Sequence, residues 1–177
     1  MDKLLVKIEN DSDFMNIVGD ILENKMVQQM KNYKQHYETT CFEHCLIASY
    51  FCYLYCKKHN LDYISCARAA MVHDLFLYDW RKRINGRKGL HAFTHPFTAY
   101  ENASKLFNLN AKEKDIILKH MWPVTFFHFP KYKESFVLTF VDKRCALSEA
   151  AVQIRKQFYN RKLLHIAYIF LGLFILK

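Results

Sequence analysis

Residues that form tight turns are scarce in this chain. Of its 177 residues, 4 are glycine and 3 are proline. A sheet of many short strands needs frequent tight turns, which Gly and Pro are best able to form. The composition therefore favours long helices over a many-stranded sheet and predicts an all-α fold. A hydrophobic fraction of 51% is enough for a substantial core.

A secretory signal is also missing. The chain opens with MDKLLVKIENDSDF, which is charged from residue 2. We therefore expect a cytoplasmic protein whose 6 cysteines are reduced, although their number is even. Four of them share one face of a predicted helix, and roughly 22 Å separates the outer two, too far for a single ion. We interpret these four as small core residues: Cys41, Cys45, Cys52 and Cys56.

Acidic residues are too few to balance the basic ones. Lys and Arg total 26 against 17 Asp and Glu, which gives a net charge of +9. This surplus favours a partner that carries phosphate, namely a nucleotide, a nucleic acid or an anionic membrane surface. A merely solvated basic surface is the alternative. Because the chain has no long basic arm, we expect a small phosphorylated substrate, with a nucleotide favoured, and no long nucleic acid.

Long apolar runs are absent until the C-terminus. Residues 163–177, LLHIAYIFLGLFILK, are almost continuously apolar, but the run is shorter than the roughly 20 residues of a spanning helix, and His165 interrupts it. A buried terminal helix or a homodimer contact is favoured over a shallow membrane anchor. Since no linker-like stretch occurs, we predict one globular domain with an N-terminal helix within 1–35, a core over 36–157 and an apolar C-terminal helix over 158–177.

Apolar residues recur at helical spacing along most of the chain. Ser12 or Asp13 is the predicted N-cap of a first helix, SDFMNIVGDILENKMVQQMKNY. Thr39 or Thr40 is the predicted cap of the next helix, TTCFEHCLIASYFCYLYCKKHN. This second helix is apolar nearly all round, which is typical of a central, buried helix.

Caps and prolines also predict helix boundaries in the second half of the chain. Asn110 followed by Glu113 resembles a capping box. Pro96 fits the first turn of a helix that continues through FTAYENASKLF, which places His95 at the helix start. ESFVLTFVDKRCALSEAAVQIRKQF is predicted to be one long helix, and PVTFFHF is the single candidate for a strand.

Polar groups interrupt several of these apolar helices. AAMVHDLFLYDW, residues 69–80, has the composition of a buried helix but contains an adjacent His and Asp, both of which can bind a metal. Taken alone, a buried His is usually a hydrogen-bonded core residue. Five separate elements offer such groups, however, and burying them unpaired would cost roughly 1–3 kcal/mol each. A shared divalent cation would remove that cost. The groups are His44, His73, Asp74, His95, His120 and Asp142.

The order of these groups resembles the HD-domain superfamily of metal-dependent phosphohydrolases. The likeness covers about residues 36 to 150, and the segments around the polar groups resemble successive helices of that family: FEHCLIASYF, ARAAMVHDL, HPFTAYENASKLF, ILKHMWP and VDKRCALSE. The resemblance implies a compact HD-domain helical bundle and a hydrolase that acts on phosphate esters. The Gly-Tyr-Pro signature of the family's cyclic-dinucleotide branch is absent, which argues against that substrate.

The resemblance also implies how the groups divide between one or two metal ions. His73 and Asp74 would be the catalytic pair. The first ion would be held by His44, His73, Asp74 and Asp142, and the second by His95 and His120, with Asp74 as the bridge. His91 competes with His95, one helical turn away, and we prefer His95 because it precedes Pro96 at the expected helix start.

The ligand types suggest the metal and the reaction. Imidazole and carboxylate together suit Mn²⁺, Fe, Zn²⁺, Co²⁺ or Ni²⁺ better than Mg²⁺. Such an ion would make hydroxide available to attack phosphorus in a phosphomonoester or phosphodiester. Basic residues would neutralise the remaining phosphate charge, and the candidates are Arg81, Arg87, Lys88 and Lys143. Two alternatives stay open: a metal-binding regulatory module without turnover, and a basic membrane-associated or nucleic-acid-binding helical protein without a metal.

Overall fold

The computed structural model describes residues 2–36, 38–82 and 89–175. Within these ranges the chain is mostly helical, with one antiparallel pair of very short strands, so the predicted all-α class is confirmed. The elements in chain order are α1 (Asp2–Glu9), α2 (Ser12–Leu22), α3 (Lys25–Gln28), a 3₁₀ turn (Gln29–Asn32), β1 (Lys34–His36), β2 (Thr39–Thr40), α4 (Cys41–Lys58), α5 (Tyr63–Val72), α6 (His91–Leu106), α7 (Ala111–Lys119) and α8 (Lys133–Ile175).

Helix α4 is the central element of the bundle. Its residues are buried on nearly every face, from Cys41 at its start to Cys56 in its last turn. Helices α5 and α8 both pack along it, and α7 in turn packs on α5 and α8. α4 is buried in this way because its sequence is apolar nearly all round, and a helix without a polar face must be covered on every side.

Two capping boxes fix the starts of α4 and α7. The Thr40 hydroxyl accepts the backbone N–H of Glu43, and the Glu43 carboxylate accepts the N–H of Thr40. Asn110 and Glu113 make the same reciprocal pair at the start of α7. Both helix starts are therefore confirmed as predicted, since each box satisfies two backbone donors that the helix cannot.

The predicted first helix is wrong in its start and in its length. Asp11, and not Ser12 or Asp13, is the N-cap of α2, and its side chain accepts the backbone N–H of Phe14. The helix then ends at Leu22, and Asn24 caps the separate short helix α3. Asn and Asp compete with the helix backbone for hydrogen bonds, which explains why the chain breaks there although apolar spacing continues.

Helix α6 begins five residues earlier than Pro96 predicts. Leu90 is the extended N-cap and His91 the first helical residue, so His95 and Pro96 lie in the second turn. The placement of His95 at a helix start is therefore wrong. Proline has no N–H, so at this position it removes the backbone hydrogen bond to the carbonyl four residues earlier.

The PVTFFHF segment is not a strand. Residues 120–127 form consecutive turns, with backbone bonds from Val124 to Met121 and from His128 to Thr125. The Trp122–Pro123 peptide bond is cis. The aromatic composition favoured a strand, but the local turn bonds satisfy the backbone without a partner strand.

Helix α8 is a single helix of 43 residues. It includes the predicted long helix and most of the apolar C-terminal run without a break. Among the residues that the structure describes, no helix combines the length and the apolar character required to cross a membrane.

Candidate metal centre

Five helices deliver polar side chains to one buried place between them. α4 contributes from its first turn, α8 from its interior, α6 from its second turn, and α5 and α7 from the residues at their C-terminal ends. An adjacent His and Asp can address one point at the end of α5 because the chain leaves the helix there. The residues that the structure brings together are His44, His73, Asp74, His95, His120 and Asp142.

One half of this cluster centres on Asp142. Its Oδ1 lies 3.0 Å from Nε2 of His44 and 3.6 Å from Nε2 of His73. His73 Nε2 is also 3.5 Å from Oδ2 of Asp74. The half therefore joins two imidazoles and two carboxylates from three different helical elements.

The other half contains two imidazoles and the second oxygen of Asp74. The Nε2 atoms of His95 and His120 are 2.9 Å apart. Asp74 Oδ1 lies 3.2 Å from Nε2 of His95 and 3.7 Å from Nε2 of His120. Asp74 thus faces one half with each carboxylate oxygen and is the link between them.

All four imidazoles are anchored through Nδ1, so that Nε2 faces the cluster. The Nδ1 partners, at 2.7–3.0 Å, are a carboxylate oxygen of Glu149 for His44 and the backbone carbonyls of Ala70, His91 and Ile117 for His73, His95 and His120. A carbonyl oxygen only accepts, so the proton of a neutral ring stays on Nδ1. When such a ring is neutral, its Nε2 keeps a lone pair directed at the common centre, which is the arrangement of metal-binding histidines.

The acidic groups of the cluster are ionised. Burial raises the pKa of Asp142, but the hydrogen bond from His44 and the charge of His73 outweigh it and hold that pKa well below its usual range. The pKa of Asp74 is lowered in the same way, because the charges of His73 and His95 outweigh burial. Both carboxylates are therefore ionised, and their charge is balanced either by protonated imidazoles or by a bound metal cation.

The imidazoles differ in how they hold protons. Burial lowers the pKa of His44, but its bonds to Asp142 and Glu149 dominate and raise it well above the usual value. Burial and the neighbouring His73 and His95 lower the pKa of His120 to about 3. His120 is consequently neutral at physiological pH, and its Nε2 lone pair is available to a metal.

The residues fit a divalent transition metal. His73 Nε2 and Asp74 Oδ1 are buried and, within the described part of the chain, have no hydrogen-bond partner. Unpaired buried atoms of this kind are costly unless another group, such as a cation, satisfies them. Among the described residues, several sets of three have ligand atoms within 4.8 Å of one another: His44, His73 and Asp74; His73, His120 and Asp142; Asp74, His95 and His120; and Cys41, Cys45 and Asp74.

Two of the four cysteines that share one face of α4 border the cluster. Cys41 donates its thiol to the backbone oxygen of Asp74 at 3.1 Å, and Cys45 Sγ lies 3.6 Å from Nδ1 of His73. Burial raises the pKa of Cys45 well above the usual value. These thiols therefore stay protonated and pack against the two neighbouring residues, in keeping with their interpretation as core residues.

His91 lies beside the cluster and outside every candidate set of ligands that the described residues form. Its ring stacks on His95, at 4.5 Å between centroids, and on Trp80, at 5.4 Å. Its Nδ1 is 3.1 Å from the hydroxyl of Tyr78. His95 is therefore the histidine that faces the cluster, and His91 is its neighbour in the ring stack.

Two residues at the cluster were not among the sequence candidates. Glu149 contacts Nδ1 of His44 and follows Asp142 by seven residues, two helical turns, so helical periodicity could have identified it. The amide of Gln35 in β1 donates to the Asp74 carboxylate, and Trp80 Nε1 donates to the Gln35 carbonyl at 3.2 Å. No periodic signal marks Gln35, because its position depends on the short hairpin.

The structure describes two of the four basic residues that are candidates for binding phosphate. Lys143 Nζ donates to the carbonyls of His120 at 3.1 Å and Thr139 at 3.3 Å, and burial lowers its pKa. Arg81 pairs with Asp79 at 3.0 Å. The other two candidates, Arg87 and Lys88, lie outside the described residues.

The sequence matches no protein-family model, no curated protein and no solved structure. The inference of a function therefore depends on the side chains of this chain and their geometry.

Proposed function

We propose that this chain is a metal-dependent phosphohydrolase of the HD type, which hydrolyses a phosphomonoester or phosphodiester of a nucleotide or small metabolite. The observation that carries the proposal is the set of four Nδ1-anchored imidazoles whose Nε2 atoms meet two ionised carboxylates in one buried place. A histidine with a purely structural role does not require this many metal-binding atoms around it.

The donor set suits Mn²⁺, Fe, Zn²⁺, Co²⁺ or Ni²⁺, because imidazole nitrogen is mixed with carboxylate oxygen. Mg²⁺ and Ca²⁺ prefer sites built from oxygen alone. The first ion would be held by His44, His73, Asp74 and Asp142, and the second by Asp74, His95 and His120. A bound divalent ion lowers the pKa of coordinated water toward neutrality and so supplies hydroxide for attack on phosphorus.

The chain's own residues would hold and orient this centre. Glu149 accepts the Nδ1 proton of His44 and so directs Nε2 inward. Gln35 holds one oxygen of Asp74. Lys143, whose ammonium group is 3.1 Å from the His120 carbonyl, brings a positive charge beside the second half, where it would neutralise phosphate.

Substrate would approach from the α8 side. The Asp142 side chain is 13% exposed, whereas those of His44 and His73 are fully buried. The overall charge of +9 favours a phosphorylated and therefore anionic substrate. A small ester is expected there because the ligands lie deep between helices.

Metal analysis and a phosphate-ester assay test the proposal. The purified chain, loaded with Mn²⁺, should contain metal and hydrolyse p-nitrophenyl phosphate or its diester analogue. Asp74→Ala should lose metal and turnover together, whereas Asp13→Ala, which removes an exposed carboxylate on α2, should retain both. Full turnover in Asp74→Ala would refute the assignment. Metal binding without turnover on a broad ester panel would favour a regulatory module.

A further inference from the structure

The described side chains of α8 that follow Glu149 contribute nothing to the buried core of the bundle. Glu149 is buried, but from Ala150 onward every described side chain is exposed or half-buried. The helix continues to Ile175, which adds about 39 Å of helix beyond Glu149. A helix of this length needs a surface to pack on, because helices are stabilised mainly by burying an apolar face.

An exposed apolar stripe runs along this helix. Phe140 is 66% exposed, Leu147 72%, Ile154 48% and Phe158 69%. With Ala151, they are spaced by seven, four, three and four residues, which keeps them on one face of the helix. The stripe therefore begins on the part of α8 that packs on the bundle and continues beyond Glu149.

Basic side chains border the stripe. Arg144, Arg155 and Lys162 each follow a stripe residue by four positions and so lie next to it, and all three are exposed. In the sequence, no Asp or Glu follows Glu149, whereas Arg155, Lys156, Arg161, Lys162 and Lys177 do. A second copy of this helix would set basic residues against basic residues, which is unfavourable. Charge complementarity thus favours an anionic surface.

We propose that the C-terminal half of α8 lies on an anionic lipid surface and so attaches the protein to a membrane. An apolar stripe bordered by Arg and Lys is the pattern of helices that lie in the membrane interface. The almost continuous apolar run from residue 163 adds surface that such an interface would bury. The proposed attachment is peripheral, because the apolar run of residues 163–177 is shorter than the roughly 20 residues of a spanning helix. This inference does not depend on the proposed phosphohydrolase activity.

Co-sedimentation with vesicles tests this inference. Two compositions are needed: phosphatidylcholine alone, and phosphatidylcholine mixed with phosphatidylglycerol. The 1–177 chain should bind the mixed vesicles more strongly, and added salt should weaken that binding. Each basic residue near an anionic surface contributes about fivefold to the partition coefficient, so Arg155→Gln with Lys156→Gln should weaken binding about 25-fold.

Two further variants complete the test. Lys3→Gln with Lys7→Gln removes the same charge from α1 and should leave vesicle binding unchanged. Ile154→Ser with Phe158→Ser removes apolar surface at exposed positions, so it should weaken binding while the circular dichroism spectrum and unfolding temperature of the bundle stay the same. Equal binding to both compositions, or a stable dimer in solution that ignores vesicles, would overturn the proposal. So would a complex with an acidic protein in place of vesicles.

Discussion

The Nε2 atoms of His95 and His120 lie 2.9 Å apart, although the two rings come from different helices. Both rings bond a backbone carbonyl through Nδ1, so in their neutral forms both Nε2 lone pairs face the same space. Two lone pairs at this distance repel unless a proton or a metal cation lies between them. The contact between α6 and the end of α7 therefore requires either a proton shared by the two rings or a metal cation bound to both.

Metal binding is expected to stabilise the fold, because the ligands come from five helical elements that must be assembled before they can bind an ion. At a free metal concentration of roughly 100 times Kd, the gain is about 2.7 kcal/mol. The midpoint of thermal unfolding should then rise by about 5–10 °C. Scanning calorimetry with added Mn²⁺ and with EDTA measures the shift. Asp74→Ala is the control and should show none; an equal shift in that variant would contradict the expectation.

Substitution of His120 should remove one bound metal ion and leave the other in place. His120→Ala takes away the imidazole opposite His95, while the Asp142 half of the cluster keeps its ligands. Metal content should fall from about two ions per chain to about one. Plasma mass spectrometry of the purified variant measures this ratio. His128→Ala removes an exposed histidine a few residues further on and should leave the ratio unchanged. An unchanged ratio in His120→Ala would show that this histidine is not a ligand.

Glu149 should set metal affinity without binding the metal itself. Glu149→Gln keeps the shape of the side chain but removes the charge that holds the Nδ1 proton of His44. Loss of a partner of this kind weakens metal affinity by about 10- to 100-fold. Competition against a fluorescent chelator gives the ratio. Glu101→Gln, at an exposed position on α6, is the matched control. Equal affinities for the two variants would mean that the His44 orientation does not depend on Glu149.

Local signals in the sequence were sufficient for some elements and not for others. The capping boxes at Thr40 and Asn110 were predictable because each involves residues only three positions apart. The break before α3 was not, since apolar residues keep helical spacing across it while the Asn24 side chain takes over the backbone bonds. The start of α6 was misplaced because Pro96 is tolerated in the second turn as well as the first.

The ligand candidates were visible in the sequence because polar residues stood out in apolar helices. Their supporting partners were less visible. Glu149 looked like an ordinary helical glutamate until the contact with His44 gave it a partner across 105 positions of the chain. Gln35 lies in a hairpin that no strand signal predicted, and its contact with Asp74 depends on the tertiary fold. Contacts between distant segments are set by packing, which residue spacing alone does not describe.

Acid should destabilise the protein partly through a half-buried network at the start of α7. Lys112 Nζ lies 3.0 Å from carboxylate oxygens of both Asp62 and Glu134, and so ties α7 to the N-terminal ends of α5 and α8. Burial raises the pKa of each acid, but backbone N–H donors and Lys112 outweigh it, so both pKa values are lowered. Groups whose pKa is lower in the folded state stabilise it above their unfolded pKa values, about 4, and lose that contribution as the pH falls through the folded values.

The contribution of Asp62 and Glu134 to the free energy of unfolding should accordingly be level between about pH 5 and 6 and fall below about pH 4. Lys112→Met removes the cation, which should lower stability by about 1 kcal/mol at pH 6 and make the acid decline shallower. Lys114→Met, on the same helix, removes a lysine that contacts the Tyr100 ring and should keep the original slope. Urea titrations across this pH range measure both quantities. A decline as steep in Lys112→Met as in the unchanged chain would assign the acid sensitivity to other carboxylates, because the Asp62 and Glu134 contribution depends on that ammonium group.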